Sequence, residues 1–289
     1  MFLIVGANSE IGSATARLIR ARGGEVVTTT RRPLEANADQ VRLDFERPIE
    51  SFTVPEGVTA ACIFVAVARL AACAADPEGS ARVNVLQTLA LVDLLMARGV
   101  YTLFLSTNQV FNGDEPQVPA EAPTSPVSEY GRQKAETEGG LRARMASGAP
   151  IGVLRLAKVV SPGMALISTW AQELAAGRSI RAFTDMTIAP TPVDVVATSI
   201  ARMMEDRLPV IAQLTGPRDI AYADVGRFLA EKIGADPLLV GPVSALKSGM
   251  PRGSMPRYTT LDSSYIAGRY GLTVPDAFDV IGNLSGLSP

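Results

Sequence analysis

Short apolar runs alternate with longer helix-like runs through the first 160 residues. This pattern predicts strands near 2–5, 25–30, 40–43, 61–67, 101–106 and 151–156, and helices near 11–22, 80–98, 130–146 and 164–176. Strands and helices in strict alternation build a parallel sheet covered by helices on both sides, so the expected class is α/β with a doubly wound sheet. Gly23-Gly24 and Gly99 close the first and second of these helices, and Asn112-Gly113 with Pro116, Pro119, Pro123 and Pro126 marks a long irregular loop. Beyond residue 160, Pro and Gly break the helices, and the run from Lys247 to Arg257 is basic with no acid before Asp262. The run Leu208–Thr215 reads as one more strand of the main sheet. The expected organisation is therefore a nucleotide-binding body over 1–162 to which 192–215 returns, and a smaller interleaved lobe over 163–191 and 216–289.

Composition narrows the function. The 289 residues are 47% hydrophobic and 19% charged, with a net charge of -2, which gives no attraction to nucleic acid or to an anionic membrane. There is no histidine, which removes any His-based triad and the commonest transition-metal ligand, so no metal site is expected. Proton chemistry falls to Tyr, Lys, Ser, Thr or carboxylates. Cys62 and Cys73 are too few for a disulfide framework and read as reduced core residues. Met1–Val5 passes straight into Gly6 and reads as a buried first strand rather than a secretory signal, and the apolar stretch Val58–Ala75 contains Arg69 and reads as a strand and its following turn. The expected location is the cytoplasm.

Gly6-Ala-Asn8-Ser9-Glu10-Ile11-Gly12 stands at the first strand-to-helix turn, where backbone N–H groups and a helix N-terminus can face a pyrophosphate. Its spacing is not G-x-G-x-x-G, and Ser9 occupies the middle position of a Gly-x-x-Gly-x-x-Gly variant; a plain tight turn is the alternative. The second strand ends in Thr30-Arg31-Arg32 rather than in an acid that would bind a ribose 2′-hydroxyl. Two guanidiniums favour a 2′-phosphate, hence NADP(H) over NAD(H), with a solvated basic turn as the alternative. Asp44 is placed to accept from an adenine amino group or to cap a turn.

Tyr130 and Lys134, in Ser128-Glu-Tyr-Gly-Arg-Gln-Lys134, lie four apart on one helix face, in a chain with six tyrosines and four lysines. Upstream, the strand-like Val100–Leu105 runs into Ser106-Thr107. With the glycine turn, Ser106-Thr107-Asn-Gln-Val-Phe-Asn-Gly113 and Tyr130-Gly-Arg-Gln-Lys134 in register, the chain resembles the extended short-chain dehydrogenase/reductase superfamily, and within it the dTDP-4-dehydrorhamnose reductase group. Phe183–Thr191 is similar to that group's Asp-Gln-x-Gly-x-Pro-Thr segment, and Thr259–Asp262 to its Leu-Asp element. Asn108, Gln109 and Met186 depart from the group's pattern, as does the apolar segment after the fourth strand.

The resemblance implies a Rossmann-like fold, a nucleotide-sugar substrate and a homodimer. It implies that Tyr130 gives a proton to a carbonyl oxygen as hydride arrives from the nicotinamide, that Lys134 acidifies the phenol and bonds the ribose, and that Thr107 orients the carbonyl. Asn84 falls where the superfamily often carries an asparagine beside the site, with core hydrogen bonding equally open. Lys247, Arg252 and Arg257 are candidate pyrophosphate partners, with Met250 and Met255 as apolar contacts, the alternative being a solvated flexible loop. Lys158 faces either a cleft or solvent. The expected function is an NADP(H)-dependent reductase of a 4-keto nucleotide-sugar, with epimerase or dehydratase chemistry, or dinucleotide binding without turnover, as alternatives.

Overall fold

Every strand of the main sheet except the short edge strand at 40–42 places apolar side chains on both faces. In the computed structural model, which describes residues 1–32 and 39–284 except for the side chain of Arg252, these strands are β1 (Phe2–Val5), β2 (Val26–Thr30), β3 (Gln40–Arg42), β4 (Ala60–Ile63), β5 (Tyr101–Thr107) and β6 (Ile151–Leu156). A seventh, β11 (Ile211–Leu214), follows four short strands that belong to the smaller lobe. All seven pair in parallel in the order β11-β6-β5-β4-β1-β2-β3. Leu3, Val5, Ala61, Ile63, Phe104, Ile151 and Val153 point into one core, while Ile4, Cys62, Leu103, Leu105, Leu154 and Leu156 point into the other. This is the period of two expected of a pleated sheet with helices on either side.

Helices α1 (Glu10–Ala21), α2 (Leu70–Ala75), α3 (Pro77–Ala81), α4 (Thr88–Met96) and α5 (Glu129–Ala146) connect these strands. Ser9 caps α1 by accepting from Gly12 N at 3.1 Å, and Gly12, Thr15, Ala16 and Ile19 form its buried i, i+3, i+4, i+7 stripe. The buried stripe of α5 is unusual in containing Lys134, Thr137 and Glu138 beside Leu141, residues that are rarely buried without a partner.

The remaining elements are β7 (Val159–Val160), α6 (Ala165–Ala175), β8 (Ile180–Phe183), β9 (Thr187–Ile188), β10 (Thr191–Pro192), α7 (Val193–Asp206), β12 (Ile220–Ala221), α8 (Tyr222–Ile233), β13 (Val240–Val243), α9 (Ser264–Tyr270) and α10 (Ala277–Leu284). Helix α7 supplies Val196, Ile200 and Met204 to the core that also holds α1, so the chain crosses back to the main sheet before β11. Helices α6, α8 and α10 enclose a third core around Ile167, Trp170, Leu229 and Ile281. The short pairs β7–β10, β8–β13 and β9–β12 line this smaller lobe.

Three boundaries differ from the sequence-based expectation. Strand β4 stops at Ile63 instead of 67, because Val67 leaves the ladder and exchanges hydrogen bonds with the Asn84 side chain. The helix expected over 80–98 is instead α3, a π-helical turn over Arg82–Gln87 and α4. Asp44 lies two residues past β3 in a turn, where it accepts from Glu46 N at 3.1 Å.

Candidate active site

The strand order reverses between β1 and β4, and at such a switch point the loops leaving the C-terminal strand ends diverge and open a crevice. A cavity of about 370 Å³ lies there. Gly6, Asn8 and Ser9 form one side, Thr30, Arg31 and Asp44 another, and Phe64–Val67 the floor toward β5. Gly6 has φ +92°, and a Cβ on it would come within 2.8 Å of Val65 Cγ2. A Cβ on Gly12 would lie 2.8 Å from the Gly6 carbonyl oxygen. The turn is therefore closed to side chains and open to a ligand's approach along the backbone. Ser9 engages the Gly12 N–H, leaving those of Glu10 and Ile11 at the start of α1 without an intrahelical acceptor. A pyrophosphate fits this donor set.

The other predicted residues sit around this crevice in different ways. Ile11 packs its side chain into the core, and Glu10 reaches across to hydrogen-bond Ser161 beyond β7. Glu10, Ser161 and Lys158 line an adjoining cavity of about 320 Å³ between α1 and the smaller lobe. Arg31 and Arg32 are exposed at the end of β2; Arg31 lies 4.0 Å from Glu46, and the Arg32 amide donates to Thr30 Oγ1. Asn84 is 1% exposed and does not line the crevice: its Oδ1 accepts from Val67 N at 2.8 Å, and its Nδ2 donates to Val67 O and to Gln133 Oε1. The core hydrogen-bonding alternative holds for Asn84, which ties the crevice wall to α5.

Tyr130 and Lys134 stand one turn apart at the start of α5, and Lys134 reaches the end of β5, the strand that Thr107 closes. Lys134 Nζ donates to Leu105 O at 2.8 Å, 4.2 Å from the centroid of the Phe104 ring and 5.9 Å from that of Tyr130. Thr107 Oγ1 accepts from Gln109 N at 3.2 Å, and Gln109 Oε1 accepts from Ser128 Oγ, the cap of α5. A Cβ on Gly131 would overlap the Gln109 carbonyl, so only glycine lets the helix approach this closely. Among the described residues no hydrogen bond engages the Tyr130 hydroxyl, and Nζ of Lys134 uses one of its three donors.

The electrostatics correct one expectation. Burial pushes the Tyr130 phenol up rather than down, and burial pushes Lys134 down to about 7 against the attraction of Glu138 and Cys73. For both groups desolvation is the dominant cause. The sign is testable. A Lys pKa that is depressed in the fold costs stability below about pH 7, and that cost fades as pH rises toward 10.5. Lys134→Met is therefore expected to raise the thermal midpoint at pH 6, with the advantage shrinking by pH 9; an equal or lower midpoint at pH 6 would contradict this account.

Behind this trio lies a charged cluster that sequence reading did not anticipate. Arg155, fully buried in β6, donates to Glu138 (2.7 Å), Gln213 Oε1 (3.0 Å) and Ala120 O (3.0 Å). Ser106 Oγ donates to Glu138 Oε1 at 2.5 Å. A charged residue in the middle of the apolar run Ile151–Leu156, and a glutamate one turn beyond Lys134, were the available signals.

The basic loop meets the same end of the molecule. Gly253 lies against Val127 and Ser128, and Pro256 and Tyr258 lie against Gly113, so the loop seats on the proline-rich segment that leads to Tyr130. Asp185 supports it by accepting from Ser244 Oγ and Ala245 N, both at 2.6 Å, bonds that hold its carboxyl below the usual range. Residues 285–289 of the expected lobe and the Arg252 side chain fall outside the described residues. No described helix is long and apolar enough to cross a membrane.

Known proteins are similar to this chain in sequence or in fold. The probable low-salt glycan biosynthesis reductase Agl14 of Haloferax volcanii is 26% identical over 293 positions, covering 97% of this chain and 96% of its own length. The structure of MoeE5 in complex with UDP-glucose and NAD superposes with a TM-score of 0.81 at 21% identity, over 99% of this chain and 97% of that one. A hypothetical dTDP-4-dehydrorhamnose reductase from Sulfolobus tokodaii superposes at 0.79 with 19% identity, over 96% and 98%. At these identities the structural matches establish the shared fold. The family described as RmlD substrate binding domain matches residues 1–279 and so spans the glycine turn, the Tyr130–Lys134 helix and the interleaved lobe alike. With the switch-point crevice and seven-strand parallel sheet, this places the chain in the RmlD substrate-binding-domain family, on the scaffold of the extended short-chain dehydrogenases/reductases.

Proposed function

We propose that this protein is an NADP(H)-dependent reductase that converts a 4-keto group on a nucleotide-linked sugar to an alcohol. The observation that carries the reading is an unengaged Tyr130 hydroxyl one helical turn from a buried Lys134 that has two free donors, in a chain whose switch-point crevice is lined by Gly6, Asn8 and Ser9. A bound nicotinamide dinucleotide supplies the hydride. Backbone amides of Glu10 and Ile11 hold its pyrophosphate, Asp44 faces its adenine end, and Lys134 holds its nicotinamide ribose. Tyr130 protonates the carbonyl oxygen, and Thr107 orients that oxygen. The positive charges of Lys134 and of an oxidised nicotinamide ring oppose the effect of burial on the phenol. Lys247 and Arg257, on the loop seated beside α5, neutralise the sugar's diphosphate.

Dehydration, or epimerisation at a carbon beside the keto group, requires further acid/base groups, and two candidates, Glu129 and Asp185, serve elsewhere. Glu129 is held below the usual range by its hydrogen bonds to Arg132 and Gln133, and Asp185 caps the basic loop. This favours simple reduction. The preference for NADP(H) rests on Arg31 and Arg32, with Glu46 as a distant partner of the first. Arg31→Ala/Arg32→Ala is expected to weaken NADPH binding about tenfold or more while leaving NADH binding within about twofold. Equal losses for both cofactors, measured by fluorescence titration, would reject the assignment. The whole reading is tested by following NADPH absorbance with 4-keto nucleotide-sugars; tight NADPH binding without turnover on any of them would favour a regulatory role.

A further inference from the structure

Tyr130, Lys134 and Glu138 occupy successive turns of α5, and the last two dock on adjacent residues of β5. Lys134 donates to the Leu105 carbonyl, and Glu138 accepts from Ser106, whose neighbour is Thr107. The Glu138 side chain is 1% exposed and Arg155 is fully buried, with Nη2 and Oε2 2.7 Å apart. Arg155 also holds the Ala120 carbonyl, while Gln213 joins Arg155 to the Val118 and Asp262 carbonyls. The Arg155 guanidinium lies 4.9 Å from the centroid of the Phe111 ring. Every polar end of this cluster lands on a segment that borders the site: the tip of β5, the helix carrying Tyr130, the proline-rich loop or the C-terminal lobe.

We propose that Glu138 is a positioning residue: fixed by Arg155 and Ser106, it serves as the counter-ion of Lys134 and sets the register of α5 against the end of β5. Among the described residues the groups that bear on the Lys134 ammonium are few. Glu138 and Tyr130 come from α5 and Cys73 from α2, with Arg155 of β6 standing behind Glu138; β5 contributes the Leu105 carbonyl and the Phe104 ring. Glu138 is the only carboxylate among them. Arg155 pairs with that carboxylate through both Nε and Nη2, which offsets the cost of burying it.

This inference deepens the reductase reading but can be tested without it. The chain contains four lysines, so a protein labelled with ¹³C at lysine Cε gives four side-chain signals. Their pH titration reports the charge of Lys134 directly in the NADPH-free protein, with Lys134→Met identifying the signal. In Glu138→Gln the Lys134 midpoint is expected to fall by about one pH unit or more, because a neutral amide no longer stabilises the ammonium. Glu138→Asp, which keeps the charge, should recover at least half of that shift. Should the single amide variant not fold, Glu138→Gln/Arg155→Gln removes both buried charges and is expected to leave the midpoint within about half a unit of the native one, the lost attraction and lost repulsion offsetting. In folded Glu138→Gln an unmoved Lys134 midpoint overturns the proposal, as does a fall that Glu138→Asp does not recover. In the double variant a midpoint more than a unit higher overturns it, since Arg155 would then dominate. Absence of keto-sugar turnover beside a normal Lys134 response would defeat the reductase reading alone.

Discussion

Tyr130→Phe is expected to lower kcat for keto-sugar reduction by about 10²–10⁴-fold, the usual contribution of a positioned general acid. The substitution removes one oxygen that has no hydrogen-bond partner among the described residues, so it leaves no polar atom orphaned and should fold as the native chain does. Dinucleotide affinity should stay within about threefold, because the pyrophosphate turn and the Lys134 ammonium are untouched. The combination of lost kcat with intact NADPH binding separates a proton donor from a packing residue. Activity above about a tenth of native would mean that another group, or solvent, delivers the proton.

Arg155→Met should produce the largest loss of stability. The methionine fills much of the stem volume but strands the Glu138 carboxylate in a site with only the Ser106 hydroxyl as donor. Breaking a buried ion pair from one side costs about 3–5 kcal/mol, well above the balance an interior salt bridge contributes when both partners are present. Urea unfolding near pH 7 measures it, and a loss below about 1 kcal/mol would show that water reaches Glu138. Gln213 and the Ala120 carbonyl also lose their donor, so a local loosening of the proline-rich loop should accompany the global effect.

Much of the architecture was legible because burial on two faces writes itself into composition. Strands such as Phe2–Val5 and Ile151–Leu156 are nearly all apolar, and helix ends carry Ser9, Ser128 and glycines where capping chemistry demands them. The proximity of Tyr130, Lys134 and the end of β5 followed from helical periodicity together with parallel-sheet topology. What stayed hidden depended on three-dimensional partners. The split of the 80–98 helix arises from a π-helical turn that aims Asn84 at Val67 and Gln133, and nothing local in Val83-Asn84-Val85 announces it. The raised phenol of Tyr130 reflects desolvation, which depends on what covers the residue and not on its neighbours in the chain. The short strands of the lobe have two to four residues, too few to show a period.

The late arrival of β11 bears on how the protein is made. Until residues 211–214 emerge from the ribosome, β6 presents an unpaired edge, and the guanidinium at position 155 lacks the side-chain amide that completes its coordination. Translation at about 5–20 residues per second leaves that edge uncovered for about 3–11 seconds. Slowing synthesis across that interval should therefore divert more nascent chains to chaperones or aggregates than slowing it after residue 220.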